Sequence, residues 1–330
     1  MLDPELLGPW IRRFLLEHVV AERNLSLNTQ RSYRDMLTQL LPFAAEAIKK
    51  PIDRLIVTDL SPTRIRQFLR HLEHTRRCGG STRNQRLGAI HALARFVGEH
   101  GPEHLEWCSQ IRLIPFKKIL QPAITCLDRA EMDALLAAPE RFTPQGQREH
   151  ALLLFLYNSG ARASEAAQLT IRDLDWHARC VQLLGKGGKL RTCPLWPATL
   201  KVLRLTVAER DGAQRVFLNR VGQPMTRSGV YALVKRSAVR ASAKAPSLAS
   251  KTVSPHVVRH STASHLLRAG VDINTIRGWL GHVSVNTTNI YAEIDLDTKA
   301  KALAACAVAD RASDKPWRKQ PELMAFLRAL

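Results

Sequence analysis

Apolar residues recur at helical spacing along nearly all of this 330-residue chain, and only one stretch reads as paired strands. In that stretch Arg179–Leu184 and Lys189–Pro194 flank Gly185-Lys186-Gly187-Gly188, two short runs around a glycine-rich turn, which is the form of a β-hairpin. Val216-Phe217-Leu218 can add a third short strand. The rest has to be built from helices, so the expected fold class is mainly α with a small antiparallel β-sheet in the C-terminal domain.

The chain is long for one core and comfortable for two. Residues 1–103 read as an all-helical module. Trp10, Phe14, Leu15 and Val19 share one helical face, and Ser26 or Asn28 can cap a second helix carrying Tyr33, Leu37, Leu40 and Leu41. Ser61-Pro62 starts a third, which buries Ile65, Phe68, Leu69 and Leu72. After Gly79-Gly80, Ser81 caps a fourth lined by Leu87, Ile90, Leu93 and Val97. Residues 104–125 lose this periodicity and contain Pro115, Lys117, Lys118 and Pro122, so they read as a basic interdomain linker.

A second domain is expected over 126–310. Asp128 caps a helix through Leu135 and Leu136, an apolar helix covers Arg148–Asn158, and a short one follows over Ala163–Gln168. Thr226, Ser254, Asp272 and Ser284 are further caps, and Ala241–Ser250 reads as a mobile small-residue loop. Residues 311–330 form a tail whose Pro321–Leu330 segment is amphipathic and too short to stand alone. It needs a groove, on its own domain or on a neighbouring protomer.

The formal charge of +20 points to a polyanionic partner. Residues 1–120 carry 19 basic and 12 acidic groups and residues 121–330 carry 30 and 17, so both halves are basic. Arg76, Arg77, Arg83, Arg86, Lys117, Lys118 and Lys189 are candidates to lie along DNA phosphates. No run approaches the ~18 apolar residues of a membrane span, and the start at Asp3, Pro4 and Glu5 does not resemble a signal peptide. Six scattered cysteines read as reduced thiols, so a cytoplasmic location is expected.

The segment from His256 to Tyr291 gathers His256, Arg259, His282 and Tyr291. A metal-free attack on a phosphodiester needs a nucleophile, cationic donors for the non-bridging oxygens and a proton for the leaving oxygen. Tyr291 offers a phenol that both attacks and departs well. Arg259, one turn beyond His256, offers planar forked donors, and Arg162 supplies a second fork from another element. Glu165 can orient Arg162 or cap its own helix. In the hairpin turn either Lys186 or Lys189 can protonate a departing 5′-oxygen. His256 and His260 at i, i+4, with His265 beyond, have ligand spacing, but no acidic third ligand follows and Arg259 repels a cation. No metal and no cofactor is therefore expected.

Arg162 in GARASE, Lys186 in GKGGK, His256 and Arg259 in HVVRH, His282 in LGH, and Tyr291 stand in the order and spacing of the tyrosine recombinase (phage integrase) family, which this chain resembles over residues 126–305. SLNTQRSYRDML and STRNQRLGAIHALARF resemble that family's helical core-binding, SAM-like domain. The resemblance implies that Arg162 and Arg259 clamp the scissile phosphate, Lys186 is the general acid, His256 assists proton transfer from Tyr291 and His282 bonds the phosphate. It also implies cleavage and rejoining of double-stranded DNA through a 3′-phosphotyrosyl ester without metal or ATP. The family's members act as tetramers on paired sites, some with a second recombinase or accessory protein, in integration, transposition or resolution. Ala161 and Ala163 are smaller than the family's usual residues there. A non-catalytic accessory protein and a type IB topoisomerase are the alternatives; the first would lack Tyr291 or an arginine, and the second would relax supercoils as a monomer.

Overall fold

The computed structural model describes residues 5–119 and 124–281, with Ala325, Leu327 and Arg328 of the tail. These gather into two compact units that divide between Pro122 and Ala123.

In the first unit, α1 (Leu7–Arg13) runs on as wider, π-helical turns over Phe14–Glu22 and buries Trp10, Phe14 and Val19. Helix α2 (Leu27–Ile48) starts at Ser26, whose hydroxyl accepts from the Thr29 N–H at 3.4 Å, and buries Met36, Leu37 and Leu40. Helix α3 (Pro62–His74) has its Ser61 cap and buries the four expected residues, Ile65, Phe68, Leu69 and Leu72. Helix α4 (Gly80–His100) starts slightly earlier than expected: Gly79, not Ser81, is its cap residue, and no side chain caps it.

The linker reading needs correction. Residues Leu105–Arg112 form α5, and Trp107, Cys108, Ile111 and Ile114 are buried in the unit's core. Trp107 donates its indole N–H to Leu60 O at 3.0 Å. A Cβ built on Gly98 of α4 would stand 2.7 Å from Cys108 Cβ, so α5 packs directly on the α4 backbone. The signal was weak because α5 is short and follows Gly101-Pro102, which read as the end of ordered helix.

In the second unit, α6 (Arg129–Ala137) has a reciprocal cap: Glu131 N–H donates to Asp128 Oδ1 at 2.8 Å, and Asp128 N–H to Glu131 Oε2 at 2.9 Å. The central α7 (Pro144–Ser159) is buried over its last eleven residues, Glu149–Ser159, and ends at Gly160, φ +58°. Helix α8 (Ala163–Gln168) follows at once. Strand β2 (Cys180–Leu184) pairs antiparallel with β3 (Leu190–Pro194), Cys180 opposite Pro194 and Leu184 opposite Leu190. The third strand is β1 (Leu174–Asp175), paired with the far edge of β2. The expected strand at Val216–Leu218 is instead extended chain: Val216 N–H donates to Leu169 O, and Leu218 makes one isolated bridge to Pro224.

Helices α9 (Pro197–Val207), α10 (Arg227–Ala241), α11 (Pro255–Arg268) and α12 (Ile273–Leu280) complete the described unit. Thr226, Ser254 and Asp272 cap α10, α11 and α12 as expected, while Ser284 lies outside the described residues. The loop expected to be mobile holds a 3-10 turn over Pro246–Ser250 with Leu248 buried. Ser247 Oγ and Lys251 Nζ both donate to buried Glu131, each at 2.6 Å, which ties that loop to the start of α6. In the tail, Ala325, Leu327 and Arg328 are helical and exposed; the docking expectation rests mostly on positions outside the described residues.

Candidate active site

Three elements bring the described site residues together. Gly160 closes α7 in the left-handed region, and a Cβ there would meet Leu280 Cδ2 at 2.4 Å. The chain thus turns sharply and passes against the end of α12 before Arg162 begins α8. Ala161 is buried, so the small residues flanking Arg162 are packed rather than loose.

Arg162 projects from the residue just before α8, its side chain about a quarter exposed. Its Nη1–H donates to Glu165 Oε1 at 2.6 Å and its backbone N–H to Glu165 Oε2 at 2.8 Å. Glu165 therefore both caps its helix and bonds the Arg162 guanidinium. Its carboxylate is also gripped from β3 by Arg191, whose Nη1–H and Nη2–H donate to Oε1 and Oε2 at 3.0 and 2.7 Å. Burial alone raises the Glu165 pKa. The forked bond and charge of Arg191, then the bonds from Arg162, outweigh burial and hold the carboxyl near 2.

Helix α11 presents His256 and Arg259 in its first turns, behind the Ser254 cap and Pro255. Arg259 is buried, 3% exposed, and donates to Gly160 O at 2.7 Å and Leu280 O at 2.5 Å. His256 is exposed by surface area, yet protein packed around its ring still lowers its pKa. The guanidinium groups of Arg259, Arg162 and Arg227 lower it further, and Glu165 opposes them. A neutral imidazole able to accept a proton is the result at neutral pH. His260 is pushed down to about 4, by burial first and then by His256 and Arg259. His265 Nδ1 shares a hydrogen bond of 2.8 Å with the Tyr157 hydroxyl.

The end of α12 is where these side chains converge. Trp279 O accepts from Arg191 Nε–H at 2.9 Å, Leu280 O from Arg259, and Gly281 O from Arg162 Nη2–H at 3.5 Å. Three guanidinium groups thus satisfy three successive carbonyls that a helix C-terminus leaves without partners. His282 and Tyr291 lie beyond this point, outside the described residues. The backbone of Lys186 lies in the hairpin turn over Lys186–Gly188, and its side chain is not among those described.

Arg191 was missed in the sequence. The signal was there, since a basic residue on the strand after GKGGK with an apolar cysteine two residues on suggests an inward face. Lys189 and Arg191 alternate with Leu190 and Thr192, however, and only the burial of Arg191 and Cys193 beside exposed Leu190 and Thr192 shows which face turns inward. Lys189 is exposed. Of the other proposed phosphate contacts, Arg76, Arg77 and Lys118 are exposed. Lys117 is exposed and bonded to Glu73 at 2.7 Å. Arg83 and Arg86 spend N–H groups on Pro115 O and Ser32 O, so they brace the first unit.

Comparison with known proteins decides the family. Residues 125–297 match the model of the phage integrase family, and residues 11–101 match that of the phage integrase N-terminal SAM-like domain. The chain belongs to the phage integrase family, the tyrosine recombinases. It is 37% identical to the putative integrase/recombinase y4rC of Sinorhizobium fredii, over 98% of each chain. Identity to the tyrosine recombinase XerC of a Roseiflexus species is 30%, over 87% of this recombinase and 90% of that one. The fold is that of the Tn1549 transposon integrase, solved with transposon right end DNA: TM-score 0.66, 17% identity, 90% of this chain and 99% of that one. It is also that of XerH, solved on a palindromic difH substrate, with TM-score 0.64, 22% identity, and coverage of 86% and 81%. No described helix is long and apolar enough to cross a membrane.

Proposed function

We propose that this recombinase cuts and rejoins double-stranded DNA through a transient 3′-phosphotyrosyl ester on Tyr291. The observation that carries the reading is the convergence of Arg162, Arg259 and His256 at the N-terminus of α11 beside the end of α12. A helix N-terminus and two guanidinium groups favour a bound phosphate and the charge that grows on its oxygens during attack. Neutral His256 takes the phenol proton, and Lys186, carried by the hairpin turn, protonates the departing 5′-oxygen. The ester keeps the bond energy, so rejoining needs no ATP, and the cationic groups do the work a metal would otherwise do.

The other tyrosines are less suited. Tyr33 stacks on Phe14 in the first unit, and buried Tyr157 has its hydroxyl committed to His265 and Arg129. Tyr231 is exposed on α10. By analogy with the family, the recombinase acts in the cytoplasm as a tetramer on paired sites. Incubation with nicked duplexes followed by denaturing electrophoresis tests the reading: wild type is expected to yield a DNA-linked band, and Tyr291→Phe to bind DNA without one. Equal adduct from both proteins would reject Tyr291.

A further inference from the structure

Arg191 belongs to none of the roles assigned above, yet its guanidinium is fully engaged beside the described site. Its side chain is only 7% exposed. All three of its nitrogens donate, two to Glu165 and one to Trp279 O. A glycine leaves room for it: a Cβ on Gly281 would stand 3.0 Å from Arg191 Cδ. Gly281 also stands in the left-handed region, φ +66°, where it ends α12.

Arg191 therefore sits at a junction of three pieces that the proposed reaction must keep aligned. On β3 it follows closely on the turn that carries Lys186. Through Glu165 it touches the carboxylate that holds Arg162. Through Trp279 O it fixes the last turn of α12, which leads to His282 and Tyr291. A lysine in its place would keep the charge but lose the planar fork that spans both carboxylate oxygens and the carbonyl together.

We propose that Arg191 is a positioning residue for strand cleavage, setting Arg162 through Glu165 and the approach to His282 through the end of α12. The proposal rests on the strand-cleavage reading above. It predicts an effect on the rate at saturating DNA rather than on DNA affinity, because a displacement of about 1 Å at a reacting centre costs on the order of 100-fold.

The test uses the full chain and a pool of nicked duplexes randomised around the nick, from which the adduct-forming sequence is recovered. Single-turnover adduct formation is then measured against DNA concentration for wild type, Arg191→Lys, Arg191→Gln and Glu165→Gln, and for Arg191→Lys combined with Glu165→Gln. Circular dichroism and retained DNA binding establish which variants are folded; Arg191→Lys is the one expected to fold in any case. Arg191→Lys should bind DNA within about 3-fold of wild type while its saturating rate falls on the order of 100-fold. The double variant should be much less impaired than the product of the two single effects, since both act through one carboxylate. An unchanged saturating rate, a loss confined to affinity, or fully multiplicative effects would each overturn the proposal. Wild type that forms no adduct on any member of the pool would overturn the cleavage reading and this proposal together, whereas an active wild type matched by its Arg191 variants removes Arg191 alone.

Discussion

Glu165 is the residue on which the described site turns, because its carboxylate bonds both Arg162 and Arg191. Its folded pKa, about 2, lies below the 4.5 of an unperturbed glutamate. A depressed carboxylate stabilises the fold fully above its unfolded pKa, and that contribution fades as pH falls from about 4.5 toward 2. At ~1.4 kcal/mol per unit the depression corresponds to a contribution on the order of 3 kcal/mol. Glu165→Gln should therefore be less stable than wild type at pH 7 in urea unfolding, with the gap narrowing below about pH 4.5. A gap that stays constant down to pH 3 would show that the ion pairs contribute little. The site's separate residues were legible because their chemistry is unusual: an arginine within GARASE and a histidine-arginine pair one turn apart have few ordinary uses together. Arg191 was not, since its one cue, Cys193 two residues on, is too little to fix the inward face of a short strand.

Among the elements, the long amphipathic helices declared themselves, and of the short ones α8 did while α5 did not. The start and buried face of α3 could be read to the residue, because Ser61-Pro62 marks the first and Ile65, Phe68, Leu69 and Leu72 the second. Helix α5 was hidden: its eight residues present only Trp107, Cys108 and Ile111 to the core, too few for a clear period. The strand expected at Val216–Leu218 failed for the opposite reason. Its apolar residues sit in an extended segment that joins no ladder, and composition does not distinguish the two. If α5 is part of the first unit's core, Trp107→Ala should destabilise it by roughly 3–5 kcal/mol, through the cavity and the missing bond to Leu60 O. A thermal melt of the full chain would then show an early transition. A melt unchanged from wild type would return α5 to the linker.

On the scale of the whole molecule, charge was the property most plainly written in the sequence. A chain at +20 with both halves basic should bind duplex DNA with strong salt dependence. The structure sorts the basic residues further. Exposed Arg76 and Arg77 are suited to phosphate contact, whereas Arg83 and Arg86 are committed to Pro115 O and Ser32 O. Replacing Arg76 and Arg77 by alanine should weaken binding for all sequences alike. It should also reduce the slope of log K against log salt by about 1 for each phosphate no longer neutralised. Arg86→Ala should instead lower stability more than it changes that slope. The reverse pattern in fluorescence-anisotropy titrations across salt would exchange their roles.

Mass spectrometry of the trapped protein–DNA adduct, digested to peptides, tests the chemistry most directly. The expected result is a nucleotide remnant on the peptide that contains Tyr291. A remnant on Tyr231, on a serine, or no remnant on any peptide would contradict it.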